Sequence, residues 1–569
     1  MFKQTPRVCC LPCTALEDGK KRFMKLYSLL GFRFMCVAVM IEFVLQAFVA
    51  GGGSGGLVGA PILLLLSTFK LPATRMQILE TVATAPWQLK PLMGILSDSL
   101  YIGGYNKMPY MILTSLTGII SAVLVAAFYP MSPLLFTALL FFIFLQIATG
   151  DLLLEARYVE KTKNHAASRP TLYSFIRFCS GFCQLASILV VGLLIAYHVP
   201  LQWLYLSPVI PFFVVALMVY GNWAGESLYK GERPLTNLGC RRCYFTERSR
   251  EDVLSPEIPV IGADTLKMRE NWRIFLLAFI IGGISIGTSV LGLFEMSTTY
   301  LFIASIGSAF VMIGCFFALL DKGVAKILAF IVIQNMFSIS LRAATFFFYT
   351  DSVEAYPEGP HFSRQFYVTV MGGVGILLSV VGVFIYGTFM HHWTYRRVFM
   401  VTSLLFMVTC VPNILLFKRI NLEWGIPDVA FVLGSEVVQV MVGELNSMPF
   451  GVIMLSLCPP GMEASLYAIM AGSSNLGNAF ASYQGAFVLE MLDIKPSGNT
   501  TGESRQFDNL WIASLISLLI QVVPLFFIHL LIPDAKQTDD LLVLNELEET
   551  TITSLPTNMI SSGDDDDPL

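Results

Sequence analysis

The chain has 569 residues, 55% of them hydrophobic and 13% charged, with a mean hydropathy of +0.68. Soluble domains carry about 25% charged residues, so a water-soluble globule is excluded. A net charge of −4 likewise argues against a surface built for nucleic acid.

The first thirty residues are polar and basic (Lys3, Arg7, Lys20, Lys21, Arg22, Lys25), and no cleavage motif follows a short apolar core. The first apolar segment therefore reads as a retained signal anchor. A membrane-spanning helix needs about 20 mostly apolar residues. Such segments fall at 31–66 (long and glycine-broken), 73–96, 109–128, 134–155, 171–197 and 203–223. After a polar stretch to 273 come 274–294, 299–320, 325–349, 367–390, 398–417, 429–454, 463–489 and 510–532. About fourteen helices result.

With the N-terminus inside, twenty-five of the 36 Lys and Arg fall in inward segments and seven in outward ones. That asymmetry agrees with the positive-inside rule and with an inward C-terminus. An Asn499-Thr500-Thr501 glycosylation sequon falls in an expected outward loop.

The expected organisation is a cytosolic arm (1–30), a six-helix half (31–223), a cytosolic central loop (224–273), two extra helices (274–320), a second six-helix half (321–532) and a disordered acidic tail (533–569). This is an all-α polytopic chain of 12–14 transmembrane helices. Two six-helix halves are the layout of major-facilitator-type carriers, whose site lies between the halves near the midplane.

The eleven cysteines show no disulfide framework, and Cys240-x-x-Cys243 lacks a second pair for zinc. The six histidines show no metal-ligand spacing, and no nucleotide-binding loop is present. No catalytic constellation, metal or cofactor is expected, and the chain does not read as an enzyme.

The stretch Pro86-Trp87-Gln-Leu-Lys90-Pro91-Leu-Met-Gly94-Ile-Leu-Ser97-Asp98, followed by Gly104-Tyr105 and Tyr110, resembles the folate–biopterin transporter family. So do Gly425-Ile-Pro427-Asp428, Leu457-Cys458-Pro459-Pro460-Gly461-Met-Glu463, Ser474-Asn475-Leu476-Gly477 and Asp508-Asn-Leu510-Trp511. The match runs from about residue 31 to 532 and looks most like the protozoan, kinetoplastid-type branch. Where relatives often carry a run of arginines, this chain reads Tyr105-Asn106-Lys107-Met108. The resemblance implies plasma-membrane uptake of folate or pterins, linked to protons. Some kinetoplastid members carry S-adenosylmethionine instead. A non-transporting sensor on a carrier fold is a third reading, disfavoured by the short tails.

An ionisable group within a membrane helix is costly and usually faces a cavity or a partner. Candidate substrate-binding residues are Glu42 with Gln46 one turn on, Arg177, Arg342, Glu436, Glu444, Asn475 and Asn478. Asp151 and Glu155 share one helix face, and two close carboxylates can hold one proton between them, so they are the candidate coupling pair; an inner-face ion-pair cluster with Lys90, Arg157 or Arg177 is the alternative. Lys90, Gly94, Asp98 and Arg157 are candidate gate residues, with a Lys90–Asp98 pair expected. For Arg342, a structural pair with Glu436 or Glu444 competes with substrate contact. The glycine run at 51–59 reads either as a flexible outer gate or as close packing. Ser473, Gly477, Ala481 and Gly485 form a small-residue stripe that suits close helix packing. The membrane carboxylates (Glu42, Glu80, Asp151, Glu155, Glu436, Glu444) outnumber the membrane cations, a mild pointer to a cationic solute.

Overall fold

A computed structural model describes residues 30–53, 55–161, 169–226, 261–294, 296–456, 463–498 and 503–537. Eleven helices among these are long and apolar enough to cross a membrane. The first half comprises α1 (Phe32–Ala50), the short α2 (Pro61–Ser67), α3 (Ala73–Ala83), α4 (Lys90–Ser99), α5 (Met108–Phe128), α6 (Pro133–Lys161), α7 (Arg169–Ala196) and α8 (Leu201–Tyr220). The extra pair is α9 (Trp272–Leu293) and α10 (Thr298–Leu319). The second half comprises α11 (Lys322–Met336), α12 (Arg342–Thr350), α13 (Phe366–Met390), α14 (Tyr395–Phe417), α15 (Asp428–Ser456), α16 (Glu463–Met491), α17 (Leu510–Ile520) and α18 (Val523–Leu531).

Of the three expected spans missing from the eleven, two are broken and one is too polar. α3 and α4 form one crossing broken by a 3-10 turn at Ala85–Trp87, and α11 and α12 form another, broken between Met336 and Arg342. α16 is long enough, but Ser473, Ser474, Asn475, Asn478, Ser482 and Gln484 dilute its apolar character.

Within the first half α5 packs on α6 and α8; within the second, α13 and α14 pack on α15, and α11 on α16. The halves meet along two lines, α7 against α13 and α3–α4 against α16. The extra pair lies over the second line, touching α3 and α4 on one side and α16 and α11 on the other. Arg75 donates to the carbonyls of Gly292 and Leu293 at 2.5 and 2.7 Å, Ser285 donates to Gln88 at 3.1 Å, and the Phe302 and Phe487 rings stack at 4.3 Å. A Cβ on Gly282 would sit 3.2 Å from that of Leu92.

We call the end that holds Phe32, Ser99 and Tyr395 the basic end and the other the far end. At the basic end, short strand β1 (Leu100–Ile102) pairs antiparallel with β2 (Ile261–Ala263), just before the extra pair. The equivalent place in the second half is tied by a bridge between Thr394 and Lys536 and by Arg396 donating to the Ile532 carbonyl at 2.8 Å. The Glu226 carboxylate accepts from the backbone N–H groups of Asn106, Lys107 and Met108 at 2.8–2.9 Å. It thus caps the start of α5, where an anion is favoured.

The glycine run is a packed turn rather than a loose gate. Gly51 and Gly52 take φ of 61° and 67°, the left-handed region open to glycine. A Cβ on Gly51 would fall 1.8 Å from the Gly56 nitrogen. Leu57 and Val58 donate back to the carbonyls of Phe48 and Val49, so backbone at membrane depth finds partners within the protein, as it must.

At the far end, the loop after α12 is stitched to the loop after α16. Glu503 accepts from Ser497 and Gly498 backbone N–H groups at 3.1 Å and from the Ser497 hydroxyl at 2.7 Å, and its own N–H donates to the Ala355 carbonyl. The neighbouring Asp351 carboxyl is pushed up to about 7 by burial and, second, by the Glu503 charge. An ordinary aspartate titrates near 3.9. A folded-state value above the unfolded one means that ionisation opposes folding. Stability from this group therefore falls as pH rises from about 4 to about 7 and then levels. Asp351→Asn is expected to flatten that part of the profile and to melt higher than the parent in mildly alkaline buffer. Melting curves in detergent across this range check it, and an unchanged profile contradicts it.

Candidate functional site

The charges that the membrane segments carry converge on the seam between the halves. On the broken α3–α4 crossing, the turn at Ala85–Trp87 sets Lys90 at the start of α4, buried to 5% exposure. Its ammonium donates to Asp151 at 2.6 Å and to Glu155 at 3.3 Å, both on α6, and lies 5.4 Å from the Trp87 ring centre. The four-residue spacing of the two carboxylates is what lets one lysine bridge them. From the other half, the Tyr467 hydroxyl on α16 hydrogen-bonds Glu155 at 2.6 Å. Glu42 on α1 is also buried, with Asp151, Glu155, Lys90 and Arg177 as its charged neighbours. Val39–Ala50 is π-helical, a distortion often found at functional sites. One turn on, Gln46 has a buried carbonyl oxygen with no hydrogen-bond partner among the described residues.

Three further contacts cross the seam, two toward the basic end and one at the helix break. Arg177 on α7 meets Glu444 on α15 at 2.5 Å. Asp98 accepts from Ser465 at 2.6 Å and lies 3.9 Å from Lys267. Asn475 donates to the Trp87 carbonyl at 3.2 Å, inside the helix break. Toward the far end, Arg342 at the start of α12 lies 3.4 Å from Glu80 on α3. Gln77 donates to the carbonyls of Ser340 and Ser482 at 2.9 and 2.7 Å. One crossing, α3–α4, thus supplies contacts at both levels of the seam.

Several expected pairings are corrected. Lys90 does not pair with Asp98. Both lie on α4 eight residues apart, roughly 12 Å along the axis, too far for contact. Arg342 does not pair with Glu444, which belongs to Arg177. Glu444 lies sixteen residues into α15 from the far end, whereas Arg342 is eight residues from the far end of α12, so their depths differ by roughly 12 Å. The Glu436 side chain lies outside the described residues, as do Asn499 and the 457–462 part of the resemblance. Arg157 donates to the carbonyls of Ala224 and Gly225 at 3.2 and 2.7 Å, tying α6 to the end of the first half. Gly94 sits inside unbroken α4, its carbonyl accepting from Ser97. Asn478 is on an exposed face. The small stripe on α16 does pack closely: a Cβ on Gly485 would lie 1.8 Å from the Ser340 carbonyl oxygen, and one on Gly477 2.9 Å from the Asn335 Cβ.

Sequence reasoning missed Tyr467, Ser465 and Gln77, and counted Glu80 without giving it a partner. A tyrosine or serine within an apolar helix carries no signal of its own. Glu80 and Gln77, three residues apart on a crossing already marked by Lys90 and Asp98, do.

A cavity of about 270 Å³ adjoins the far-end contacts and is lined wholly by the second half, among others by Arg342, Tyr367, Asn413, Gln439 and Gln521.

Two helical halves meeting across a seam of buried, mutually paired charges, with a cavity beside it, define a membrane transporter of major-facilitator type. The fold is like that of a D-xylose–proton symporter (14% identity, TM-score 0.51, 89% of this chain and 99% of that one). It is also like an auto-inhibited POT family peptide transporter (14%, 0.50, 87% and 94%). The chain belongs to the BT1 family, whose profile matches residues 57–548. Among its relatives are probable folate-biopterin transporter 6 of Arabidopsis thaliana (23% identical, 80% of this chain and 75% of the relative) and the folate-biopterin transporter of Synechocystis (22%, 83% and 77%). Folate transporter 1 of Plasmodium falciparum is 24% identical over 33% of this chain and 35% of its own.

Proposed function

We propose that this transporter imports folate or pterin-type solutes across the plasma membrane by alternating access, coupled to protons, with both termini in the cytosol. The basic end is then the cytosolic one, with the 224–273 loop and the 533–569 tail beside it. The family membership and the names of the relatives support the substrate class.

One observation carries the coupling: Lys90 is held between Asp151 and Glu155, and Tyr467 of the opposite half closes on Glu155. Buried charges are tolerated when paired and hydrogen-bonded. Here Asp151, Glu155 and the nearby Glu42 share one lysine, and Arg177 is engaged by Glu444. A proton on one of these carboxyls reduces the excess of negative charge around Lys90. Its arrival weakens that carboxyl's hold on Lys90, and its departure restores it, so the seam at this level can open and close with protonation.

Saturable uptake of folate or biopterin that rises as external pH falls and collapses with a protonophore is the expected result in folate-transport-deficient cells. Uptake indifferent to the protonophore removes the coupling. The carboxylate excess also favours a cationic solute, which makes S-adenosylmethionine the second compound to measure. Uptake of S-adenosylmethionine without that of either pteridine would replace the substrate class. A surface-expressed chain that moves none of the three would leave only the sensor reading.

A further inference from the structure

The cavity in the second half has a chemistry of its own. Three irregular segments meet at it. The break between α11 and α12 contributes Ser338, Ser340 and Arg342; the π-helical stretch Phe366–Met371 contributes Tyr367 and Met371; the break between α17 and α18 contributes Gln521. Irregular backbone at membrane depth is tolerated where it lines a cavity, and broken helices recur at the binding sites of carriers.

The amides that face this space are poorly served by the protein. Asn413 donates to the Gln439 carbonyl at 3.1 Å, but its own carbonyl oxygen is buried with no hydrogen-bond partner among the described residues. The Gln439 amide nitrogen reaches the sulfur of Cys410 at 3.1 Å, and both ends of the Gln521 amide meet that same sulfur at 3.9–4.0 Å. Sulfur is a weak hydrogen-bonding partner, and a buried polar group left without a strong one is costly. Donors and acceptors on α14, α15 and the α17–α18 break therefore point to a ligand with alternating N–H and C=O groups along a flat edge. Tyr367 and Phe406 add ring surface. About 270 Å³ lies near the lower end of the ~300–1,000 Å³ typical of small-molecule pockets. It fits one fused ring system and leaves a longer substituent to pass out at the rim. Arg342 stands at that rim with 38% of its side chain accessible, one face on the cavity and the other toward Glu80.

We propose that this cavity docks the heterocyclic end of the solute, its ring edge read by Asn413, Gln439 and Gln521, and that Arg342 is shared between an anionic substituent of the solute and Glu80. An anionic ligand draws the guanidinium from Glu80 and loosens the far-end contact between the halves, whereas a neutral pterin leaves that contact in place. This rests on the pteridine reading above and deepens it.

The test is equilibrium binding of labelled folate and labelled biopterin to the full-length protein in detergent. The parent chain is expected to bind both. Asn413→Ala with Gln439→Ala should weaken both ligands, roughly tenfold or more for the lost ring contacts. Ser514→Phe, which fills the cavity, should remove both. Arg342→Gln should weaken folate roughly tenfold or more and biopterin about twofold or less. That last readout is a ratio within one sample, so a lower yield of folded protein does not disturb it. If the parent binds both ligands while the amide and cavity-filling variants bind them unchanged, or if Arg342→Gln leaves the ratio unaltered, the docking proposal is overturned and the carrier reading stands. If the parent binds neither, the pteridine reading itself falls.

Discussion

Replacing Lys90 by methionine should abolish uptake and lower the melting temperature of the purified protein. The side chain is 5% exposed and is the cation between Asp151 and Glu155. Removing one partner of a buried ion pair costs about 3–5 kcal/mol, because it strands the other charge. Here it strands two carboxylates four residues apart. The paired change Lys90→Met with Asp151→Asn should recover part of the thermal stability, since it removes one of the two stranded charges and leaves Glu155 its hydrogen bond from Tyr467. It should not recover pH-dependent uptake, because the lysine that responds to carboxyl protonation is absent. A single Lys90→Met variant that melts and transports like the parent would show that the network contributes neither stability nor coupling.

The second large effect concerns close approach rather than charge. A Cβ on Gly485 would stand 1.8 Å from the carbonyl oxygen of Ser340, and the Gln77 amide lies 2.8 Å from the same point. Neither the backbone at the α11–α12 break nor the cross-seam amide can yield locally. Gly485→Val must therefore push α16 away from α12 and α3. Overpacking of this kind costs about 1–3 kcal/mol. The larger consequence is mechanical. The far-end contacts from Gln77 to Ser340 and Ser482 cannot re-form, so the far end stays parted and the transport cycle stalls. Loss of uptake with near-normal expression is the expected outcome. Increased labelling of a cysteine introduced at Ser340 by a membrane-impermeant thiol reagent would report the parted state. Parent-like uptake would show that α16 has slack at this point.

The membrane fold was largely legible before any coordinate. Eleven spans announce themselves as long apolar runs. The remaining three crossings were visible as segments, but their interruptions at Ala85–Trp87 and between Met336 and Arg342 were not. Helix breaks at depth depend on what the neighbouring helices offer the freed backbone groups, as Gln77 does for Ser340. The residue types of the site were legible for the same reason that they are rare: a charge in an apolar run has to be there for something. Who meets whom was not. Pairing depends on depth and rotational phase, so Lys90 missed Asp98 on its own helix and found two carboxylates on α6. Arg342 found Glu80, a residue whose position in chain order gives no hint of contact. The amides Asn413, Gln439 and Gln521 lie far apart in the sequence, and each alone looks like a tolerated polar residue.

The pair of additional helices has a consequence for how a solute travels. Because α9 and α10 overlie the junction of α3–α4 with α16, that flank of the seam between the halves is covered by protein. The opposite flank, where α7 meets α13, has no such cover among the described residues. An amphiphilic inhibitor approaching from within the bilayer is thereby expected to be hindered at the covered flank.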